Sequence, residues 1–226
     1  GAGNNGTGHL KSLKESHSDR MEIAAIADPN QDAAEAAASK YGGRAYADYV
    51  DMLDSVDAVF ISSPNFLHVE HAVACAETGK HVFVEKPMAL TVEDAKLIEK
   101  AVADAGVASF VGFSVRFGGV IQRMIEMCRD GAIGDVFSLW SRRMTWMEMD
   151  ERAAWRRDIE KTGGVIHELL VHEIDWIVSL AGMPSSVYCR KASQQHQDPR
   201  ENDHIWLTMG FGEETTGTVE GSTMTR

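Results

Sequence analysis

Gly1-Ala2-Gly3-Asn4-Asn5-Gly6, with Asp28-Pro29-Asn30 about twenty residues further on, is the stretch whose reading decides the fold. G-x-G-x-x-G by itself is a weak signal, and a glycine turn with a surface acid is its plain alternative. Its context here is stronger. The glycines open a helix expected over residues 7–18, and the amides at such a helix start can hold a pyrophosphate. The apolar run Met21-Glu22-Ile23-Ala24-Ala25-Ile26-Ala27 then reads as a strand. It ends at Asp28, where an acid would hydrogen-bond an adenosine ribose. No Arg stands beside Asp28, so NAD is favoured over NADP, whose 2′-phosphate a carboxylate repels. The dinucleotide set is therefore Gly1, Gly3, Asn4, Asn5, Gly6 and Asp28. A buried strand should precede such a turn, and the numbered sequence lacks it, so the N-terminus is expected to be clipped.

Outward from this point, strands and helices alternate. A helix rich in Ala and Glu is expected to about Tyr41, a buried strand over 56–61, and a helix stopped at Thr78-Gly79. A strand over 81–84, a helix over 91–105 and a strand over 108–113 follow. Apolar strands separated by helices specify a parallel sheet covered on both faces. After Phe113 the pattern changes. A helix over 118–130, a long strand from Val136 to about Met147, a helix near 166–181 and a hairpin turning at Gly212-Glu213-Glu214 predict a mixed or antiparallel sheet with helices. The expected architecture is thus an α/β Rossmann domain over 1–117 and an α+β open-sheet domain over 118–226, the latter unfinished at its C-terminal end.

Composition narrows the class. The 226 residues are 44% hydrophobic and 25% charged, as in a globular protein with a substantial core. A formal net charge of -12 argues against nucleic-acid and anionic-membrane partners. Cys75, Cys128 and Cys189 have no C-x-x-C spacing, which points to reduced thiols in a cytoplasmic protein and to no zinc site. No apolar stretch approaches the ~20 residues of a membrane span, and no signal peptide precedes the first element.

Three further segments make the reading more specific: Ser63-Pro64-Asn65-Phe66-Leu67-His68, Gly79-Lys80-His81-Val82-Phe83-Val84-Glu85-Lys86-Pro87, and Gly163-Gly164-Val165-Ile166-His167-Glu168-Leu169-Leu170-Val171-His172-Glu173-Ile174-Asp175. In this order the chain resembles the Gfo/Idh/MocA oxidoreductases, with the E-K-P tripeptide after a G-K-H-V strand as the most specific part. The resemblance implies a Rossmann domain followed by an open-sheet domain, NAD(P), and substrates that are mostly sugars, polyols or their derivatives. It also implies that Lys86 is the active-site lysine, held with Glu85 beside the nicotinamide. Ser63, Asn65 and His68 would lie in the loop that closes on the cofactor. His172 would stand next to the reacting carbon and Asp175 near the substrate hydroxyls. The peptide before Pro87 is a candidate for the cis form. This chain departs from the family pattern at Thr162, usually glycine, at Glu168, usually Asp, and at Leu170, usually glycine.

These residue types suit alcohol oxidation. A base that titrates near working pH must take the hydroxyl proton, which fits His172. A nearby ammonium lowers the cost of a developing alkoxide, which fits Lys86. On a continuous helix Glu168, His172 and Asp175 share one face, so that Glu168 can orient the imidazole, while Leu170, Ile174 and Ile177 face the core. Arg156 and Arg157 are solvated or paired, or one of them contacts substrate; Arg157 is the one retained as a substrate-binding candidate. His167 and His172 are five apart, not four, so a metalloprotease helix is excluded. Trp140, Met144 and Trp146 read as a packed sheet face or subunit contact, and a homodimer or homotetramer is expected. Two other functions stay open: an NAD-dependent glycosidase of the same fold, and a non-catalytic dinucleotide-sensing regulator.

Overall fold

The first helix, α1 (Asn4–Ser16), starts inside the glycine stretch and not at residue 7, because the glycines permit a helical turn packed directly on the chain before it. The computed structural model describes residues 1–145, 155–156, 158–193 and 203–223. Contacts divide the chain into two units, Gly1–Gly112 and Phe113–Arg226.

In the first unit β1 (Ala25–Ala27), α2 (Gln31–Tyr41), β2 (Arg44–Tyr46), β3 (Ala58–Ile61), α3 (His68–Glu77), β4 (His81–Val84), α4 (Val92–Ala105) and β5 (Ser109–Val111) follow α1. Local chemistry sets several of these ends. The Asn30 side chain accepts from the Ala33 amide at the start of α2, and Thr91 accepts from the Asp94 amide at the start of α4. Gly106, at φ 64°, ends α4 in the left-handed conformation that glycine enters without strain. All pairings are parallel: β1 with β2, and β3–β4–β5 as a separate ladder. The first strand is shorter than expected, since only 25–27 match the three residues of β2, a strand too brief to announce itself in the sequence.

One face of the β3–β4–β5 ladder buries Val59, Ile61, Val82 and Val84 against Ala72, Cys75 and Ala76 of α3 and Ile98 of α4. The other face carries a row of rings. Phe60, Phe83 and Phe110 are register partners, stacked at 4.8 and 5.8 Å.

The second unit comprises α5 (Gly119–Arg129), β6 (Ser138–Met144), α6 (Ile159–Thr162), a π-helical turn over Ile166–Leu170, α7 (Val171–Ala181), β7 (Ser186–Ala192), β8 (His204–Phe211) and β9 (Thr215–Ser222). The sheet order is β6-β9-β8-β7; β6 and β9 are parallel and the other pairs antiparallel. The sheet is therefore mixed, one of the two forms the sequence pattern allowed. Its inner face buries Leu139, Ile205, Leu207, Met209 and Val219 with Leu170, Trp176 and Ile177. Glu173 is only 6% exposed. It accepts from the Ser141 hydroxyl, from Arg143 Nε at 2.6 Å and from Trp176 Nε1 at 3.1 Å, which fastens α7 to β6. The outer face is open: Trp140 and Tyr188, in one cross-strand row, are 61% and 66% exposed. Trp146 lies outside the described residues. Among the described residues no helix is long and apolar enough to cross a membrane.

Candidate active-site residues

The glycine loop bridges two strand ends. The Ala2 amide donates to Asp28 Oδ2 at 2.7 Å just past β1, and a Cβ on Gly1 would stand 3.0 Å from the Ser62 carbonyl oxygen just past β3. A Cβ on Gly6 would lie 1.9 Å from the Gly1 carbonyl oxygen, so this position must be glycine. Gly3 differs: a Cβ there would meet nothing within 4 Å. Its φ of -73° suits any residue, so what its missing side chain keeps clear is the outside of the loop. Gly3 caps α1 without a side-chain bond, and the first turn, with Asn4 and Asn5 exposed, holds no acid. The Ser62 hydroxyl beneath the loop is buried with no hydrogen-bond partner among the described residues. Uncapped amides, a clear approach and no opposing carboxylate at the helix start fit a pyrophosphate. Asp28 is fixed as well, since its Oδ1 accepts from the Asn30 amide at 2.9 Å.

The neighbouring strand ends carry the lysine loop. Glu85 and half-buried Lys86 follow β4, and the Lys86–Pro87 peptide is cis. Burial alone would raise the Glu85 carboxyl. The hydrogen bond and charge of His9, the Lys86 amide at 3.1 Å and the Lys86 charge together bring it below the ordinary carboxylate value. His68 is 1% exposed, with Nδ1 2.7 Å from the Pro87 carbonyl oxygen and Nε2 2.9 Å from that of Ser63. It braces the loop after β3 against the loop after β4. Asn65 is buried in the short turn of the first of these loops, just before α3. The Ser63 hydroxyl is 2.9 Å from Nδ1 of His71, a residue the sequence reading passed over, whose imidazole is kept below its ordinary value chiefly by burial.

In the second unit the helix expected over 166–181 is interrupted by its π-turn, whose wider winding shifts the residues before α7 relative to those within it. Leu170 fits here because β9 offers a glycine: a Cβ on Gly221 would sit 2.1 Å from Leu170 Cδ2. The bulk that replaces the family glycine therefore faces the core. Glu168 lies in the π-turn, 3.8 Å from Arg156 Nε, and Arg156 stacks on Trp155 at 5.3 Å. His172 and Asp175 are i,i+3 on α7. The Phe113 ring meets His172 edge-on at 6.5 Å. Both carboxylate oxygens of Asp175 accept from Arg116, Oδ2 from Nε at 2.8 Å and Oδ1 from Nη2. Arg116 also lies 5.9 Å from the rings of Phe113 and Phe117. Arg116 was not foreseen; an arginine between two phenylalanines before a glycine pair was the available signal. Arg157 lies outside the described residues.

Parallel strands, a glycine-opened helix and an acid at the adjoining strand end define a dinucleotide-binding Rossmann domain. Residues 1–113 match the oxidoreductase family model with an NAD-binding Rossmann fold, and residues 121–226 match the GFO/IDH/MocA C-terminal domain. This chain belongs to the Gfo/Idh/MocA oxidoreductase family. It is 32% identical over 169 residues to 2,7-anhydro-N-acetylneuraminate hydratase of Escherichia coli (strain K12), covering 73% of this chain and 45% of that protein. Inositol 2-dehydrogenase of Rhizobium meliloti (strain 1021) is 31% identical over 183 residues, 80% of this chain and 53% of that one. The WlbA dehydrogenase from Bordetella pertussis, solved with NADH and UDP-GlcNAcA, superposes with a TM-score of 0.91 at 28% identity, covering 100% of this chain and 66% of that one. The chain thus spans about half the length of the curated relatives it matches.

Proposed function

We propose that the full-length protein is a dehydrogenase or reductase that moves a hydride between a nicotinamide dinucleotide and a sugar, polyol or related hydroxy/oxo compound. One observation carries the reading. A loop cleared for a pyrophosphate packs at the ends of β1 and β3, and a lysine follows β4, on the side where open α/β folds bind ligands. The nicotinamide, when bound, supplies the hydride acceptor or donor. The protein supplies the rest. Gly1, Gly3, Asn4, Asn5 and Gly6 present backbone to the pyrophosphate, and Asp28 accepts from the ribose hydroxyls, which favours NAD over NADP. Lys86 offsets negative charge on the substrate oxygen, His172 takes or returns the hydroxyl proton, and Glu168 orients that imidazole. Asp175 acts with Arg116, whose remaining N–H groups are aimed by the carboxylate and offered to substrate oxygens. Ser63, Asn65, His68 and Glu85 hold the two loops. The open sheet face with Trp140 and Tyr188 serves self-association, as a dimer or tetramer.

The similarity to a protein named as a hydratase favours a second reading, in which the same site acts without net redox change. Incubating the full-length protein with NAD or NADP across a panel of polyols, aldoses and sugar acids separates the two. Accumulation of reduced dinucleotide supports the first. Product formation with no reduced dinucleotide supports the second, and neither result on the whole panel would refute both.

A further inference from the structure

We propose that His9 is a positioning residue for Lys86, acting through Glu85; this rests on the role given to Lys86 above. His9 follows Gly6 by one turn of α1, on the same face. Its ring packs 5.0 Å from Phe83 and 5.8 Å from Phe60, and its Nε2 lies 2.6 Å from Glu85 Oε1. The other oxygen of Glu85 accepts from the Lys86 amide at 3.1 Å, so both oxygens are held and the carboxylate plane is set. Space for it comes from a missing side chain: a Cβ on Gly112 would lie 3.2 Å from Glu85 Oε2.

Lys86 is thereby gripped from two directions. Glu85 takes its amide, and His68 takes the carbonyl of the next residue, Pro87, at 2.7 Å. Of the two histidines, His9 is the one carried by the helix whose first amides face the dinucleotide. The helix that seats the cofactor is therefore bonded, through one carboxylate, to the lysine that serves the reaction. Packing on Phe60 and Phe83 would account for an aromatic ring at position 9. It does not account for a donor placed on a carboxylate whose side chain is 13% exposed, where loss of the donor leaves an acceptor unsatisfied.

The test uses full-length protein with His9→Phe, which keeps the ring and removes the donor, and His9→Gln, which keeps an N–H. Titration of the Lys86 amine is followed by NMR of ¹³C-methylated lysines, assigned with Lys86→Arg. In His9→Phe the Lys86 titration should shift, and kcat should fall about tenfold to a hundredfold with little change in KM for the dinucleotide. His9→Gln should restore most of both. A wild-type Lys86 titration in folded His9→Phe would overturn the proposal. Should that variant not fold, His9→Leu and Glu85→Gln decide: each should move the Lys86 titration, and the double variant should move it no further than Glu85→Gln alone. Independent, additive shifts would overturn the coupling. A Lys86 signal that responds to His9 in a protein without turnover on any substrate supports the positioning and counts only against the proposed reaction.

Discussion

Replacing Gly3 or Gly6 by alanine in the full-length protein should weaken dinucleotide binding in both cases but lower stability only at Gly6. At Gly6 the new methyl would stand 1.9 Å from a backbone oxygen, that of Gly1, which cannot swing aside as a side-chain tip can. Overpacking of this kind costs about 1–3 kcal/mol, and here the part forced to move is the loop itself. Gly6→Ala should therefore lose both stability and dinucleotide affinity. At Gly3 the methyl meets nothing within 4 Å, and φ is -73°. Alanine narrows the unfolded ensemble but caps a helix less well than glycine, so the two effects oppose and stability should move by less than ~1 kcal/mol. Yet the methyl stands where a pyrophosphate approaches the amides of α1. NADH affinity should fall at least about tenfold, or 1.4 kcal/mol. Thermal unfolding and NADH fluorescence titration read the two quantities separately. Wild-type NADH affinity in Gly3→Ala would refute the placement of the pyrophosphate, and a loss of stability as large as that of Gly6→Ala would refute the open space at Gly3.

Further outcomes follow from the packing. Glu173→Ala should destabilise the protein by roughly 3 kcal/mol in urea unfolding, because Arg143 and the buried indole of Trp176 lose their shared acceptor. Burial would raise the Glu173 carboxyl, but Ser141, Trp176 and Arg143 hold it below the ordinary value. Its stabilisation is thus present above the ordinary Glu value of about 4.3 and is lost as pH falls below it, a dependence that Glu173→Gln should flatten. Gly221→Ala should cost about 1–3 kcal/mol through its clash with Leu170, and Leu170→Ala in the same protein should recover part of that, so the double-mutant cycle is non-additive. Burial pushes the Cys75 thiol up to about 11, so a thiol reagent at pH 8 should label exposed Cys189 well before Cys75, as peptide mapping can show.

Much of the Rossmann unit was legible because its signals are local. The run His81–Val84 is a strand over its whole expected length, and α4 fills the expected helix after its Thr91 cap. What the sequence concealed depends on partners distant in the chain. β2 is three residues whose strand character exists only through pairing with β1. The π-turn over 166–170 is matched by Leu170 seated on Gly221, a contact with β9 that counting by 3.6 along the helix does not reveal. The settings of His9 and Arg116 depend on partners, Glu85 and Asp175, that are 76 and 59 residues away. The dinucleotide glycines were readable from spacing, but the different duties of Gly3 and Gly6 emerge only from what surrounds each.

The most direct measurement is turnover of full-length Lys86→Ala and His172→Ala on whichever substrate the panel identifies, alongside NADH affinity for each. Both variants should still bind NADH while losing about a hundredfold or more in kcat. Turnover near the wild-type rate in either variant would contradict the roles given to Lys86 and His172.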